Sequence, residues 1–340
     1  MHPDVEIVEF TPTPEQYAWT FGGVAPVMTV RPGTALRLWS DDAFCGRLRS
    51  VADLPGASLQ MPFVNPQTGP FFVEGAEPGD TLVLHLAELT PARTWGASAL
   101  IPFFGGLTGT DRTATLQPPL PERTWIYQLD SAAGTVAFEA SAGDFRVALP
   151  LEPMLGTIGV APAAGEVRSS LVPDSFGGNM DTPEAKAGTT VYLRVNVPGA
   201  LFSLGDGHYR QGEGESCGTA VEGAMNSLVL VDLVKGSAGF PAPAWPRMES
   251  DTHWTVVGSS RPLEDAWRIG QVEAVGWLEE LYGLETLDAY QLLSQISEVP
   301  LANAVDVNYS VPTKLPKRLL PTPKPAYDGA HDRLRALARG

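Results

Sequence analysis

Residues 79–89 read GDTLVLHLAEL, and this stretch decides the class of the fold. Its side chains alternate in character, which is typical of a β-strand, because successive side chains of a strand point to opposite faces. One face would carry Thr81, Val83, His85 and Ala87, and the other Leu82, Leu84 and Leu86. We expect His85, on so apolar a strand, to be a hydrogen-bonded histidine of the core. The stretch therefore predicts a strand.

Several other stretches of the first 235 residues have the same character. They are residues 27–30, 35–39, 145–151, 189–197 and 225–234. The chain also has 35 Gly and 31 Pro among its 340 residues, which suits many turns between short strands. Short strands with regular turn signals predict sandwich-like or barrel-like halves.

The sequence changes character after residue 235. Apolar residues recur every three to four positions between 262 and 283, which predicts a helix that ends at Gly283. These apolar positions are Ile269, Val272, Val275, Leu278 and Tyr282. A second helix is predicted over 285–297, and the basic, proline-containing end of the chain is expected to be loosely held.

These patterns together predict a β-rich α+β fold with a helical C-terminal segment. Residues 1–235 would form a β-rich region that contains the candidate catalytic residues. Residues 236–320 would form a helical segment that completes the same fold, and residues 321–340 a loosely held tail. No clean linker divides these regions.

The composition argues against several classes of function. A net charge of −16 argues against a nucleic-acid partner, since phosphates require a basic surface. The chain has no run of about 18 apolar residues, so no membrane span is expected. The first ten residues, MHPDVEIVEF, lack the pattern of a secretory signal. With only two cysteines, Cys45 and Cys217, we expect free thiols and a cytoplasmic protein.

Residues 205–218, GDGHYRQGEGESCG, place reactive side chains among five glycines. In an extended chain Asp206 and His208 point to the same face. Such a pair can bind a divalent metal, or can serve as an orienting carboxylate and a general base. Asp181 lies upstream and Glu222 downstream, so several acidic residues and a histidine fall within 181–222. A metal site needs three or four ligands from separated positions, and this region offers them.

Cys217 offers a different chemistry. Its thiolate could attack a carbonyl carbon, with His208 as the base. The simpler interpretation of Cys217 is a small buried hydrophobic residue.

Four longer stretches carry a resemblance to a known family. They are residues 73–86 (VEGAEPGDTLVLHL), 156–162 (GTIGVAP), 177–181 (GGNMD) and 205–222 (GDGHYRQGEGESCGTAVE). In this order they resemble signatures of the acetamidase/formamidase family, and the resemblance runs over roughly residues 20–318. It implies a hydrolase that acts on carbon–nitrogen bonds of small linear amides and releases ammonia and a carboxylate. It also implies intertwined barrel-like halves, a homo-oligomer and a bound divalent metal, for which we expect zinc.

The resemblance assigns roles to particular residues. It places Asp181, Asp206 and His208 at the metal and Glu222, His208 and Asp206 in catalysis. Two alternatives stay open: an amidase with Cys217 or a carboxylate as covalent nucleophile, and a non-catalytic binding protein on the same scaffold. Tyr209 and Arg210 depart from the small residues that we expect there, and they would shape the pocket if they faced it.

Overall fold

Strands form most of the regular structure, as the alternating stretches predicted. The computed structural model describes residues 1–108, 116 and 118–340. The strands are β1 (Ile7–Phe10), β2 (Thr20–Phe21), β3 (Met28–Val30), β4 (Ala35–Ser40), β5 (Gln67–Val73), β6 (Thr81–Pro91), β7 (Trp95–Leu100), β8 (Arg123–Asp130), β9 (Thr135–Glu139), β10 (Arg146–Pro150), β11 (Met154–Gly159), β12 (Arg168–Ser169), β13 (Gly177–Asn179), β14 (Thr190–Arg194), β15 (Phe202–Arg210), β16 (Val221–Glu222), β17 (Met225–Val234), β18 (Arg247–Glu249), β19 (His253–Ser260) and β20 (Tyr309–Pro316). The α-helices are α1 (Pro55–Ser58), α2 (Leu263–Tyr282), α3 (Thr286–Ile296) and α4 (Ala330–Arg339).

Two large sheets organise the strands. The central sheet has the order β1-β4-β17-β6-β14-β18-β19-β20. The second sheet has the order β10-β9-β8-β7-β16-β15-β11-β13, with β5 joined to β15 and β3 joined to β5. A small pair, β12-β2, lies apart from both. The β-rich α+β class with a helical C-terminal segment is confirmed.

Residues 82–87 are apolar except for His85, which suits a strand that is covered on both faces. Leu82, Leu84 and Leu86 join a core cluster with residues of the second sheet such as Phe202. Val83, on the opposite face, joins another cluster with the helices. Helices, central sheet and second sheet therefore form three layers, and both faces of β6 are buried.

The predicted C-terminal helices are present, although not all of the apolar positions that predicted α2 are buried. Gly283 ends α2 with φ +68, and its N–H donates to the carbonyl of Glu279 at 2.7 Å. Val272 is 73% exposed, whereas Ala266 and Gly270 are buried. The first half of α2 lies so close to β19 that the small residues Ala266 and Gly270 are buried there, while the larger Trp277, Leu278 and Leu281 are buried further along the helix. A Cβ at Gly258 of β19 would lie 2.2 Å from the carbonyl oxygen of Ala266.

The expectation of a loosely held tail is wrong. Residues 326–334 pack on the central sheet, and α4 occupies most of the segment. The buried residues there are Ala326, Tyr327, Ala330, His331 and Leu334. The basic side chains of this amphipathic helix concealed its apolar stripe, which packs against the same cluster as α2.

Two simple expectations from the composition can also be compared with the structure. Cys45 and Cys217 are both free thiols. Among the residues that the structure describes, no helix is long and apolar enough to cross a membrane.

Candidate active site

The candidate site is built on β15, which lies inside the second sheet. Asp206 and His208 share one face of this strand, as their spacing predicted. On one side β15 pairs with β11, where Gly205 lies opposite Thr157. On the other side it pairs with β16, where His208 lies opposite Glu222. The sheet register therefore brings Glu222 beside His208.

Asp181 lies near Asp206 and His208 because it follows β13, and β13 pairs with the edge of β11 that faces away from β15. Glycine is required at Gly177 and Gly178, both at φ +89, because a Cβ at either would lie 2.3 Å or less from a backbone carbonyl. After this close approach the chain turns, and the N–H of Asp181 donates to the carbonyl of Gly156 at 3.0 Å. The motif GGNMD therefore delivers a carboxylate to the face that carries Asp206.

The carboxylates of Asp181, Asp206 and Glu222 converge on Nε2 of His208, and these four residues form the cluster. This atom lies 3.2 Å from Oε2 of Glu222, 3.5 Å from Oδ1 of Asp206 and 4.0 Å from Oδ1 of Asp181. All four residues are at most 3% exposed. Ligand atoms of Asp181, Asp206 and His208 lie within 4.8 Å of one another, which is close enough for one metal ion.

Two oxygens of this cluster have no partner. Oδ1 of Asp181 and Oε2 of Glu222 are buried and accept no hydrogen bond from a described residue. Buried carboxylate oxygens are costly to leave unpaired, so their arrangement around a histidine nitrogen fits a cation. A nitrogen and several carboxylate oxygens are also ligands that a divalent first-row metal accepts.

Gly156 provides the space in the middle of the cluster. A Cβ at this position would lie 2.5 Å from Oδ1 of Asp181, 2.5 Å from Oδ2 of Asp206 and 2.9 Å from Cε1 of His208. The missing side chain therefore leaves room that any other residue would fill.

The other oxygen of each carboxylate is held from outside the cluster. Oδ2 of Asp181 accepts hydrogen bonds from the amides of Asn179 and Asn303, both at 3.1 Å. Oδ2 of Asp206 accepts from the Thr157 hydroxyl at 3.1 Å. Oε1 of Glu222 accepts from the Ala220 N–H at 2.8 Å. These bonds orient the carboxylates so that one oxygen of each faces His208.

The backbone of the cluster is unusual as well. Asp181, Asp206 and Glu215 have φ values of +45, +60 and +46, a region that residues with a side chain seldom adopt. Such conformations persist only where the surroundings impose them, and they are often found at functional sites.

Burial and mutual charge set the ionisation of the cluster. Burial opposes a charge on His208, but Glu222 and Asp206 outweigh it and raise the pKa of the imidazole well above its usual range. His208 in turn lowers the pKa of Asp206 in spite of its burial. Burial, with the neighbouring carboxylates, raises the pKa values of Asp181 and Glu222. The cluster therefore holds protons that a cation would displace.

Three residues of the site, Gln211, Asn303 and Asp306, were not predicted from the sequence. Gln211 accepts a hydrogen bond from Nδ1 of His208 at 2.8 Å. Asn303 and Asp306 come from the loop before β20, far along the chain, and Asn179 links Asp306 to Asp181. Burial raises the pKa of Asp306 to about 7. Only the fold brings this loop to the cluster.

Glu215 belongs to the site too. It is 7% exposed, and together with His208 and Glu222 it forms a second group of possible ligand atoms within 4.8 Å. Burial raises the pKa of this carboxyl well above its usual range.

Other residues singled out in the sequence lie elsewhere. Cys217 is exposed, so the expectation of a buried hydrophobic residue is wrong. Both ring nitrogens of His208 already face other groups, so neither is free to act as the base for the thiol. Tyr209 points to the opposite face of β15 and donates to the Ala224 carbonyl at 2.6 Å, while Arg210 pairs with Glu152. Neither shapes the cluster.

The geometry can now be compared with known proteins. Residues 153–322, half of the chain, match the model of the Acetamidase/Formamidase family, and this range contains all four residues of the cluster. The crystal structure of an acetamidase from Yersinia enterocolitica superposes with a TM-score of 0.87 and 40% identity over 94% of each chain. The chain belongs to the acetamidase/formamidase family. Within this family it also resembles an acetamidase from Bacillus halodurans, with 27% identity and a TM-score of 0.79 over 92% of this chain and 98% of that one.

A curated family member gives a more partial match. The acetamidase of Mycolicibacterium smegmatis is 26% identical over an alignment 264 positions long that covers 61% of this chain. The match spans 63% of the length of that relative. Because the match is partial, we treat the activity of this relative as a hypothesis for the present protein.

Proposed function

We propose that this protein hydrolyses the C–N bond of a small linear amide to a carboxylate and ammonia, with the help of a divalent metal. The observation that carries the proposal is the pair of unpartnered carboxylate oxygens that face Nε2 of His208. Membership in the acetamidase/formamidase family supports an amide as the substrate class. The enzyme would be a hydrolase of carbon–nitrogen bonds other than peptide bonds.

Asp181, Asp206 and His208 would hold the metal, for which we propose zinc. Their inward atoms are Oδ1, Oδ1 and Nε2, and the outer oxygens of both carboxylates are held by other side chains. A bound ion would supply positive charge against the carbonyl oxygen of the amide and make water a stronger nucleophile at neutral pH. Asp206 would be ionised beside such an ion, because a nearby positive charge lowers the pKa of a carboxyl.

Glu222 would move the proton. Its Oε1 is fixed by the Ala220 N–H, and its free Oε2 faces the centre of the cluster. Oε2 would accept a proton from water as the water oxygen bonds to the amide carbon, and would then donate it to the amide nitrogen as the C–N bond breaks. Oε2 has no other hydrogen-bond partner among the described residues, so it is free to hold this proton between the two steps.

The test is ammonia release from a panel that includes formamide, acetamide and propionamide. We expect turnover that is lost in a chelator and restored by Zn²⁺, with metal content measured on the same samples. Full activity in metal-free protein would remove the metal from the mechanism. Amide binding without ammonia release would support the non-catalytic alternative instead.

We also propose that the protein is a homo-oligomer, as the resemblance implied. Apolar side chains remain exposed on the helical layer, including Trp267 at 45%, Val272 at 73% and Leu287 at 70%. Such groups are costly to expose to water and are common at contacts between subunits. Light scattering coupled to size-exclusion chromatography would give the mass in solution, and a monomeric mass would contradict the proposal.

A further inference from the structure

The side chain of Gln211 links three parts of the site. Its Oε1 lies 2.8 Å from Nδ1 of His208. Its Nε2 donates to the backbone carbonyls of Asp181 at 2.6 Å and Ala302 at 3.0 Å. The residue is 8% exposed, so these contacts are made away from solvent. One amide therefore contacts the ring of one proposed metal ligand and the backbone of another.

The two carbonyls determine how the amide is oriented. Carbonyl oxygens only accept hydrogen bonds, so the group that faces Asp181 and Ala302 must be the NH₂ of the amide. A rotated amide would place its oxygen 2.6 Å and 3.0 Å from two other acceptors, with no donor among them. The amide oxygen is therefore the atom that faces His208.

The orientation of the amide then determines the protonation of His208. An amide oxygen also only accepts, so Nδ1 of His208 must carry a proton and donate it. The neutral ring consequently has its lone pair on Nε2, the atom that faces Glu222, Asp206 and Asp181. The contacts run from the carbonyl of Ala302 through the Gln211 amide to Nδ1 of His208, and Ala302 is 91 residues away from Gln211 in sequence.

We infer that Gln211 is a positioning residue that selects Nε2 of His208 as the metal-binding nitrogen. The inference rests on the proposed metal site, but not on the proposed reaction. Hydrogen bonds of this kind to a ligating histidine typically affect metal affinity by about 10- to 100-fold.

Nuclear magnetic resonance of the metal-loaded protein tests the inference directly. The protein is labelled with ¹⁵N in its histidine rings and loaded with ¹¹³Cd²⁺. We expect cadmium coupling to Nε2 of His208 and a proton retained on Nδ1. Coupling to Nδ1, or failure of His208 to bind the ion, would overturn the inference.

Two substitutions separate nitrogen selection from a purely structural link. Gln211→Glu keeps an oxygen that can face Nδ1 and, as a protonated carboxyl, one O–H donor for the two carbonyls, whereas Gln211→Leu loses the acceptor and both donors. We expect Zn²⁺ affinity, measured by chelator competition, to fall about 10- to 100-fold in Gln211→Leu and less than about threefold in Gln211→Glu. Equal losses in both variants would show that Gln211 only ties the loops together, and the inference would then be wrong.

A matched control and an activity measurement complete the design. Gln271, on α2, donates to the Thr313 hydroxyl at 2.9 Å, and Gln271→Leu should leave Zn²⁺ affinity unchanged. If Gln211→Leu fails to fold, the spectrum of the unsubstituted protein and the Gln211→Glu titration still decide the matter. Cadmium coupling to Nε2 in a protein that releases no ammonia from amides would contradict the proposed function but support this inference. Amide hydrolysis by a protein whose cadmium couples to Nδ1 would support the proposed function but contradict this inference.

Discussion

Two histidines of this protein are equally buried and have opposite surroundings. His208, in the second sheet, and His85, in the central sheet, are each 1% exposed. Carboxylates surround His208, and they raise its pKa well above the usual range. Burial and the neighbouring His331 instead lower the pKa of His85 to about 4.

Hydrogen bonding explains the difference. Asp251 accepts from Nε2 of His331 at 3.2 Å, so Nδ1 of that ring is free to accept from the Thr190 hydroxyl at 2.9 Å when the ring is neutral. Thr190 then accepts from Nδ1 of His85 at 2.8 Å. In this chain from Asp251 to His85, each of the contacting atoms has a partner. The His208 cluster, by contrast, leaves two buried oxygens without one.

The comparison shows that burial of a polar residue does not by itself make a functional site. A buried histidine whose partners are matched stabilises the fold, as His85 was expected to do. A buried histidine whose neighbours are unmatched carboxylates requires a cation or a proton. Four substitutions test this distinction.

The largest effect is expected from Gly156→Ala, which removes the space in the His208 cluster. The new Cβ would lie 2.5 Å from oxygens of both Asp181 and Asp206, so Zn²⁺ binding and ammonia release should fall to background. Gly276→Ala is the matched control, since a Cβ there meets nothing within 4 Å. A Gly156→Ala protein that binds zinc normally would show that the cluster is not the metal site.

The next effect is expected from Glu222→Gln, which keeps the shape of the side chain but cannot carry the proton. We expect kcat for amide hydrolysis to fall by about 10²- to 10⁴-fold, the usual contribution of general acid–base catalysis. Glu152→Gln, on an exposed carboxylate that pairs with Arg210, should leave kcat nearly unchanged. Similar kcat values in both variants would contradict the assigned role of Glu222.

A smaller effect, on stability alone, is expected from His85→Asn. Because the pKa of His85 is lowered to about 4, the unfolded chain binds more protons than the folded one between about pH 6.5 and pH 4. The stability of the unsubstituted protein should therefore fall as the pH falls through this range, by up to about 3 kcal/mol from this residue.

His85→Asn keeps a donor that can face Thr190 but does not titrate. Urea unfolding at pH 7, 5 and 4 should show a shallower loss of stability in the variant, with ammonia release at pH 7 preserved. The exposed His2→Asn is the control for the slope. An unchanged slope in His85→Asn would mean that His85 does not titrate as the structure implies.

The smallest effect is expected from Cys217→Ala. The thiol is exposed and both nitrogens of His208 are engaged elsewhere, so kcat and KM should stay within about twofold of the unsubstituted values. Loss of turnover in a correctly folded variant would support Cys217 as a covalent nucleophile.

Local patterns anticipated much of the architecture. The strand over residues 79–89, the helix that ends at Gly283 and the shared face of Asp206 and His208 each depend on a period of two or of 3.6 residues. Such periods are properties of the backbone, and they can be read without knowing the fold. The burial of Gly270 in α2 could not be read in this way, because only the fold brings it so close to β20 that a Cβ would lie 2.7 Å from the hydroxyl oxygen of Thr313.

The acids and the histidine of the site, and the glycines that accompany them in residues 177–181 and 205–218, can be recognised without coordinates. The fold was needed to show which oxygens face His208, which ones other side chains hold, and that Gln211, Asn303 and Asp306 belong to the site. This is because a hydrogen bond or a charge acts over a few ångströms of space. The strand register and the loop before β20 set those distances between residues that lie up to 127 positions apart in the chain.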